Sequence, residues 1–291
     1  MIEKISEVSD KQTKDLEWFE KEYKKAFVDL NQKPKAPEGI LSIGENTYNA
    51  KTRRTHIFTK GELSVISAPS KSFKSTFKSH LAAAFFTGTS KEFNEIQGHR
   101  KSNETVIDVD TEQGAFYSWH TFNRTNRIAN LNLQGAYFPF KLRHMMPSQR
   151  VDFIDALLLS GKIKNPALIF IDGIADLIED TNDLVISNQI INKIMRWTDE
   201  LNIHVNVIIH NAYGTKKPTG HLGSVSVKKA ETVININEEV DHEGNGLNYF
   251  GVTHQYSRGA SFDKFYFKND TQNGRLQQVD EGGIDEQENI Y

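Results

Sequence analysis

The chain has 291 residues, 37% hydrophobic and 25% charged, which fits a soluble globular protein of one large domain with appendages or two small ones. The formal net charge is −3 and cysteine is absent, so disulfides and thiolate metal sites are excluded, and the overall balance gives no basic surface from which to argue nucleic-acid binding. No run approaches the ~18 apolar residues of a membrane helix, and the charged opening MIEKISEVSDKQTKDLEWFEKEY resembles neither a secretion signal nor an anchor, so the expectation is no membrane partner and a cytoplasmic location.

Residues 9–30 carry Leu16, Phe19, Tyr23, Phe27 and Leu30 at steps of three and four. That spacing predicts an amphipathic helix, packed on the core or on a neighbouring subunit. NQKPKAPEG (31–39) reads as a linker, and Ile40 to Phe58 as irregular or short-strand structure. From Gly61 onward, short runs rich in Val and Ile alternate with helical segments. The runs are LSVISA (63–68), TVIDVD (105–110), ALIFID (167–172), VNVIIH (205–210) and TVININ (232–237). Helical segments lie around 74–87, 112–130, 148–160 and 184–201. Continuous apolar strands alternating with helices predict an α/β fold with a mostly parallel sheet flanked by helices. TVININ, LNYFGVTHQY (247–256) and FDKFYFK (262–268) follow one another across turns, predicting antiparallel strands at one edge. The last 21 residues hold five acids and one arginine with no apolar period, and read as a mobile acidic tail. The expected organisation is an N-terminal helix and linker over 1–55, a core over 56–270 and the tail over 271–291.

The strongest local signal is GELSVISAPSKSFKSTFKSHLAAAFF (61–86), a buried strand, a short loop, then Lys74-Ser75-Thr76 opening a helix. This is the context of a phosphate-binding loop, whose backbone N–H groups and helix N-terminus hold phosphate oxygens. The lysine reaches the β- and γ-phosphates of ATP and the hydroxyl of Ser75 binds Mg²⁺. The consensus G-x-x-x-x-G-K-[ST] aligns with Ala68, Pro69, Ser70, Lys71, Ser72, Phe73, Lys74 and Ser75, so Ala68 and Phe73 stand where glycine is usual. Lys71 adds a cation that the consensus does not require. A strand–turn–helix with incidental lysines is the other reading of this segment.

Later strands end in polar residues. Asp172 closes ALIFID, a sheet position away from the loop, where a carboxylate can hold the Mg²⁺ shell through water, or where the strand simply turns at Asp-Gly. Glu112 follows TVIDVD, at the carboxyl end of a parallel strand where ligands bind; it can orient the attacking water, or serve helix capping. Asp108 and Asp110 share one face of that strand. His210 ends VNVIIH and can sense the γ-phosphate, or be structural. KKPTGHLGS (216–224) reads as a mobile loop on the same rim, and Arg258 as a turn arginine before a late strand.

Taken in order, these segments resemble the RecA/DnaB superfamily, and within it the RepA-like single-domain ATPases of bacterial mobile elements and phages, over about residues 56–270. The resemblance implies a RecA-like ATPase core with ATP and Mg²⁺, Lys74 and Ser75 in the Walker A roles and Asp172 in the Walker B role. It implies Glu112 as catalytic glutamate, His210 as sensor and Arg258 as an arginine finger acting in trans. GHLGS (220–224) resembles the Arg-Gly-Ser-Ser loop of RepA-like proteins, with Leu222 in the arginine's place, and Tyr256 stands where DnaB-type cores carry lysine. The superfamily implies a ring-shaped homo-oligomer acting on single-stranded DNA, here helicase-like, in replication or mobilisation. The candidate contact loop is 213–222, with Lys216, Lys217 and His221. A slow or non-hydrolysing nucleotide-binding regulator, and a helicase loader or adaptor, are the competing expectations.

Overall fold

The computed structural model describes residues 15–280 except Asn49 and Asn94. The chain divides into two compact units, Met1–Ala36 and Pro37–Tyr291. In the first, helix α1 spans 15–26, and the rings of Phe19, Tyr23 and Phe27 follow one another at 5.9 Å along it. The i, i+4 spacing is what brings them together. Residues 9–14 of the expected helix lie outside the described residues.

The second unit begins with strands β1 (Gly39–Tyr48) and β2 (Lys51–Thr59), an antiparallel hairpin that pairs with the short β4 (Ile96–Gly98) in the order β2-β1-β4. The sequence predicts irregular structure or short strands here, grouped with the N-terminal helix. The β1–β2 register slips three times between Gly39 and Glu45, which destroys the two-residue alternation by which a strand is read.

The large sheet has nine strands in the order β12-β11-β10-β9-β3-β8-β7-β5-β6. They are β3 (Leu63–Ala68), β5 (Thr105–Asp110), β6 (Tyr137–Lys141), β7 (Pro166–Asp172), β8 (His204–His210), β9 (Thr232–Val240), β10 (Gly246–Ser257), β11 (Phe265–Asp270) and β12 (Arg275–Val279). All pairings from β9 through β3, β8, β7 and β5 to β6 are parallel. From β9 through β10 and β11 to β12 they are antiparallel. The expected mostly parallel sheet with an antiparallel edge is present, and β9 is the strand where the sense changes.

Alternate strand residues enter two apolar cores. Ile66, Val106, Leu168, Phe170, Ile208 and Ile234 join one core with Phe77, Leu81 and Phe85 of α2 (Lys74–Thr87) and Phe122 of α3 (Ala115–Ala129). Val65, Ile107, Val109, Ile169, Ile171 and Val207 join the other with α4 (Pro147–Leu159), α5 (Leu184–Leu201) and α6 (Gly220–Lys229). A sheet covered on both faces needs apolar residues at every strand position, hence the unbroken Val/Ile runs.

Two segments differ from expectation. Residues 275–279, assigned to the acidic tail, form β12 against β11, and residues 281–291 lie outside the described residues. The supposed mobile loop 216–224 is the entry into α6. Leu222 within it is fully buried, because the α6 ridge seats in the second core. No described helix is long and apolar enough to cross a membrane.

Candidate functional site

The carboxyl ends of β3, β8, β7 and β5 lie side by side, since parallel strands bring equivalent ends to one rim. Ala68 is in register with His210, and Asp172 with both Ile208 and Asp110. The β7 strand is two positions from β3, with β8 between, rather than one position away as the sequence reading has it.

After Ala68 the chain turns through Pro69–Phe73 into α2. Phe73 has φ 58° and ψ 23°, and Lys71 has φ 65°. Both are in the left-handed region that favours glycine. The Phe73 ring packs edge-on against Phe250 of β10 at 5.0 Å, which supplies a reason for a side chain there. The helix that follows has no side-chain cap and no acid in its first turn. Its leading N–H groups and positive dipole end therefore face the rim uncompensated by any carboxylate of the helix itself.

Lys74 is 7% exposed. Its Nζ donates to Pro69 O at 2.7 Å and to Ala68 O at 3.3 Å, and lies 3.0 Å from His210 Nδ1. Burial lowers its pKa to about 8, against the opposing pull of Asp172 and Glu112. An ammonium beside Nδ1 makes that nitrogen an acceptor and puts the ring proton on Nε2, which lies 3.6 Å from Glu112 Oε1. His210 thus stands between the lysine and the glutamate.

A cavity of about 330 Å³ is lined by Lys71 to Thr76 together with Glu112, Asp172 and His210. The loop lysine, the Ser75 hydroxyl and three strand-end residues chosen from sequence therefore share one space. Ala68, Pro69 and Ser70 do not line it: Ala68 is the buried end of β3, and Pro69 and Ser70 face a larger hollow of about 930 Å³ toward β9–β11. That hollow is lined by Glu238 and Glu239 of β9 and holds none of Lys74, Ser75, Glu112, Asp172 or His210, all of which line the smaller cavity.

Arg258 is not brought to this cavity. Its guanidinium bonds Glu62 Oε2 at 3.0 Å and Lys229 O at 2.9 Å, at the amino end of β3, on the opposite rim. In the 213–222 segment, Ala212 N donates to Lys217 O at 2.8 Å, closing a tight turn, and Tyr213 is fully exposed.

Several residues beneath the site escape a reading of the sequence. Lys78, one turn after Lys74, is fully buried with Nζ 2.7 Å from Asp108 Oδ1 and 3.2 Å from Asp172 Oδ2. The Asp108 contact is a hydrogen bond; the Asp172 contact is an ion pair without hydrogen-bond geometry. Tyr137 donates to the other oxygen of Asp108. Burial opposes the charge on Lys78, but Asp108 and Asp172 together hold its pKa above the ordinary lysine value. The available signal was an Asp at position 108 between Ile107 and Val109, and a second lysine one turn after Lys74 in a helix that continues as LAAAFF. Asp110 accepts from the backbone N–H of Glu112 and Gln113, both at 2.9 Å, so it fixes the turn that presents Glu112. Gly173, at φ 96°, follows Asp172 where a Cβ would sit 2.2 Å from Thr111 Oγ1 and 3.1 Å from Glu112 Oε1. Only glycine lets β7 turn away that close to the carboxylates.

The donor set suits Mg²⁺. A hydroxyl and a carboxylate are hard oxygen ligands, and Asp172 Oδ2 is a buried oxygen without a hydrogen-bond donor. Among the described residues no group of three or more His, Cys, Asp or Glu could hold a metal.

No family model and no curated protein matches the chain. Among solved structures it is similar to the crystal structure of the RadB recombinase, with a TM-score of 0.52 and 17% sequence identity, covering 77% of this chain and 93% of that one. The likeness at this identity is one of fold, and the chain has a RecA-like α/β fold.

Proposed function

We propose that this chain binds ATP with Mg²⁺ and hydrolyses it, as a homo-oligomeric, helicase-like motor on single-stranded DNA in replication or mobilisation of a mobile element. The observation that carries the reading is the shared cavity: a buried lysine, a helix N-terminus, the Ser75 hydroxyl, Asp172, Glu112 and His210 around one space. The loop amides and Lys74 hold the β- and γ-phosphates. Ser75 and Asp172 would hold Mg²⁺, which would supply neutralising charge for the phosphate oxygens. Glu112 orients the attacking water and takes its proton. His210, between Lys74 and Glu112, couples the presence of the γ-phosphate to the position of Glu112. Arg258, exposed on the opposite rim, stabilises the transition state in a neighbouring subunit of a ring.

ATP turnover with and without single-stranded DNA, alongside a measured mass in ATP, tests the reading. Lys74→Ala is expected to abolish tight ATP binding, and Glu112→Gln to retain binding and lose turnover. Unchanged affinity in folded Lys74→Ala moves the nucleotide site elsewhere.

One observation favours a second reading, a nucleotide-binding regulator or adaptor that turns over slowly. Lys78 already engages Asp172 and so competes with the metal for that carboxylate. On this reading turnover is slow and indifferent to DNA.

A further inference from the structure

We propose that the same rim carries a second site beyond Glu112: a basic, aromatic face on α3 and the β6–α4 turn that takes single-stranded nucleic acid by stacking its bases. This rests on the nucleic-acid part of the function proposed above and not on hydrolysis.

Residues 113–151 contain no Asp or Glu but carry Arg124, Arg127, Lys141, Arg143 and Arg150, in a chain whose net charge is −3. The inner face of α3 is already satisfied by Ser118, Thr121, Phe122 and Thr125. Its outer face nevertheless carries Phe116 and Tyr117, each 68% exposed, and Trp119, 60% exposed. The fold does not need these rings at the surface. Phe116 lies 4.5 Å from His120, and Trp119 lies 5.0 Å from the same imidazole. The helical spacing continues this face through Asn123 to the exposed Arg127.

The β6–α4 turn brings more positive charge to the N-terminal end of that helix. Lys141 pairs in register with Asp110, and Leu142 N donates to Asp110 O at 2.8 Å. Arg143 reaches within 3.4 Å of the place a Cβ on Gly114 would take, at the α3 N-cap. Arg143 and His144 are exposed. Of the nearby carboxylates, Glu112 is exposed and lies 3.6 Å from His210 Nε2, and the other two are engaged. Asp110 accepts from the Glu112 and Gln113 amides and Ser118, and Asp176 accepts from Thr111 and lies 3.9 Å from Arg150.

Interleaved cations and exposed rings without acids match a polyanion whose bases offer π-faces. Protein–protein interfaces also favour aromatic residues and Arg; what favours a polyanion here is the absence of any Asp or Glu from residues 113–151. A duplex keeps its bases stacked and out of reach, so the ligand class is a single strand. A strand held there abuts the turn that presents Glu112, a direct route from nucleic acid to turnover.

The test uses the full chain with fluorescein-labelled oligothymidylate and oligouridylate of roughly 20 nucleotides, read by anisotropy across a salt series without ATP. Phe116→Ala/Trp119→Ala is expected to weaken binding by about tenfold or more with little change in salt slope. Trp119→Phe, which keeps a ring, is expected to retain most affinity. Arg127→Gln/Arg143→Gln is expected to flatten the log–log salt slope by about 0.7 for each phosphate no longer neutralised. Preference between the two oligomers distinguishes DNA from RNA. Circular dichroism melts and a fluorescent ATP analogue verify that each variant is folded. If the folded aromatic variant binds as wild type while Lys216→Ala/Lys217→Ala does not, the site is the 213–222 loop and only the functional reading survives. Failure of the wild type to bind either strand removes both. A changed sedimentation coefficient with intact oligonucleotide binding assigns the face to a second copy of the chain and overturns the proposal.

Discussion

Replacing Lys78 by methionine tests the charge network under the phosphate loop. The lysine side chain is fully buried and that of Asp108 is 1% exposed. Methionine keeps most of the volume but leaves Asp108 facing only the Tyr137 hydroxyl. Removing one partner of a buried pair costs about 3–5 kcal/mol, because the remaining charge is left uncompensated. Urea unfolding at pH 7 is expected to show a loss of that size. Burial already raises the Asp108 pKa above its ordinary 3.8, with Lys78 pulling it down. Without Lys78 the folded pKa rises further, so across the window from 3.8 upward the native state binds more protons than the unfolded chain. Stability then falls as pH rises through that window, and the deficit is smaller at pH 5 than at pH 7. Lys78→Met/Asp108→Asn removes both charges and is expected to recover most of the loss. A deficit under about 1 kcal/mol at pH 7, or one that does not shrink on acidification, would refute the buried pairing.

Three other outcomes are expected. With the Lys74 pKa lowered to about 8 by burial, ATP affinity falls as pH rises through that value and binding takes up a proton there. Calorimetry in two buffers reads the uptake, and affinity constant from pH 7 to 9 contradicts it. Burial raises the pKa of Glu231 from 4.5 to about 7 despite two hydrogen bonds from Thr59. The native state therefore holds the extra proton and stability falls between those two values. Glu231→Gln is expected to flatten that dependence and add at most about 3 kcal/mol at pH 8; thermal melts with wild-type pH dependence would count against it. Arg258→Ala breaks an exposed ion pair with Glu62 and should move stability by less than about 1 kcal/mol, while an arginine acting in trans makes turnover fall by about 10³ or more. Turnover that matches wild type removes the trans role. Recovery on mixing with Glu112→Gln supports it.

The central strands were legible because burial on both faces writes itself as unbroken Val and Ile. The elements that were missed are those where another constraint dominates. The edge strand β6 carries Pro139, tolerable only where no ladder N–H is required on that side. Helix α6 opens with Gly220 and Gly223, where bulk is excluded: a Cβ on Gly223 would lie 2.6 Å from Pro218 Cβ. Those glycines and Pro218 read as a loop. The cavity residues were legible as polar ends of apolar runs, since parallel strands align their ends. Lys78 was not, because its partners come from strands some thirty and ninety residues further along the chain. Sequence pattern carries local period, and a long-range ion pair has none.

Phe73 ties the phosphate loop to a part of the protein far from it in sequence. Its ring meets Phe250, Phe250 stacks on Phe267 at 5.5 Å, and Phe267 stacks on Phe77 of the helix the loop opens. A left-handed backbone on a residue with a Cβ costs about 1–2 kcal/mol, and an aromatic pair returns about 0.5–1.5 kcal/mol. The two are of one size, so the aromatic circuit offsets the left-handed backbone of Phe73. A glycine loop takes its form from the anion it wraps; this one inherits its form from the β10–β11 wing. Displacing that wing would therefore deform the phosphate cradle directly, and the cradle is preorganised only while the wing stays in place.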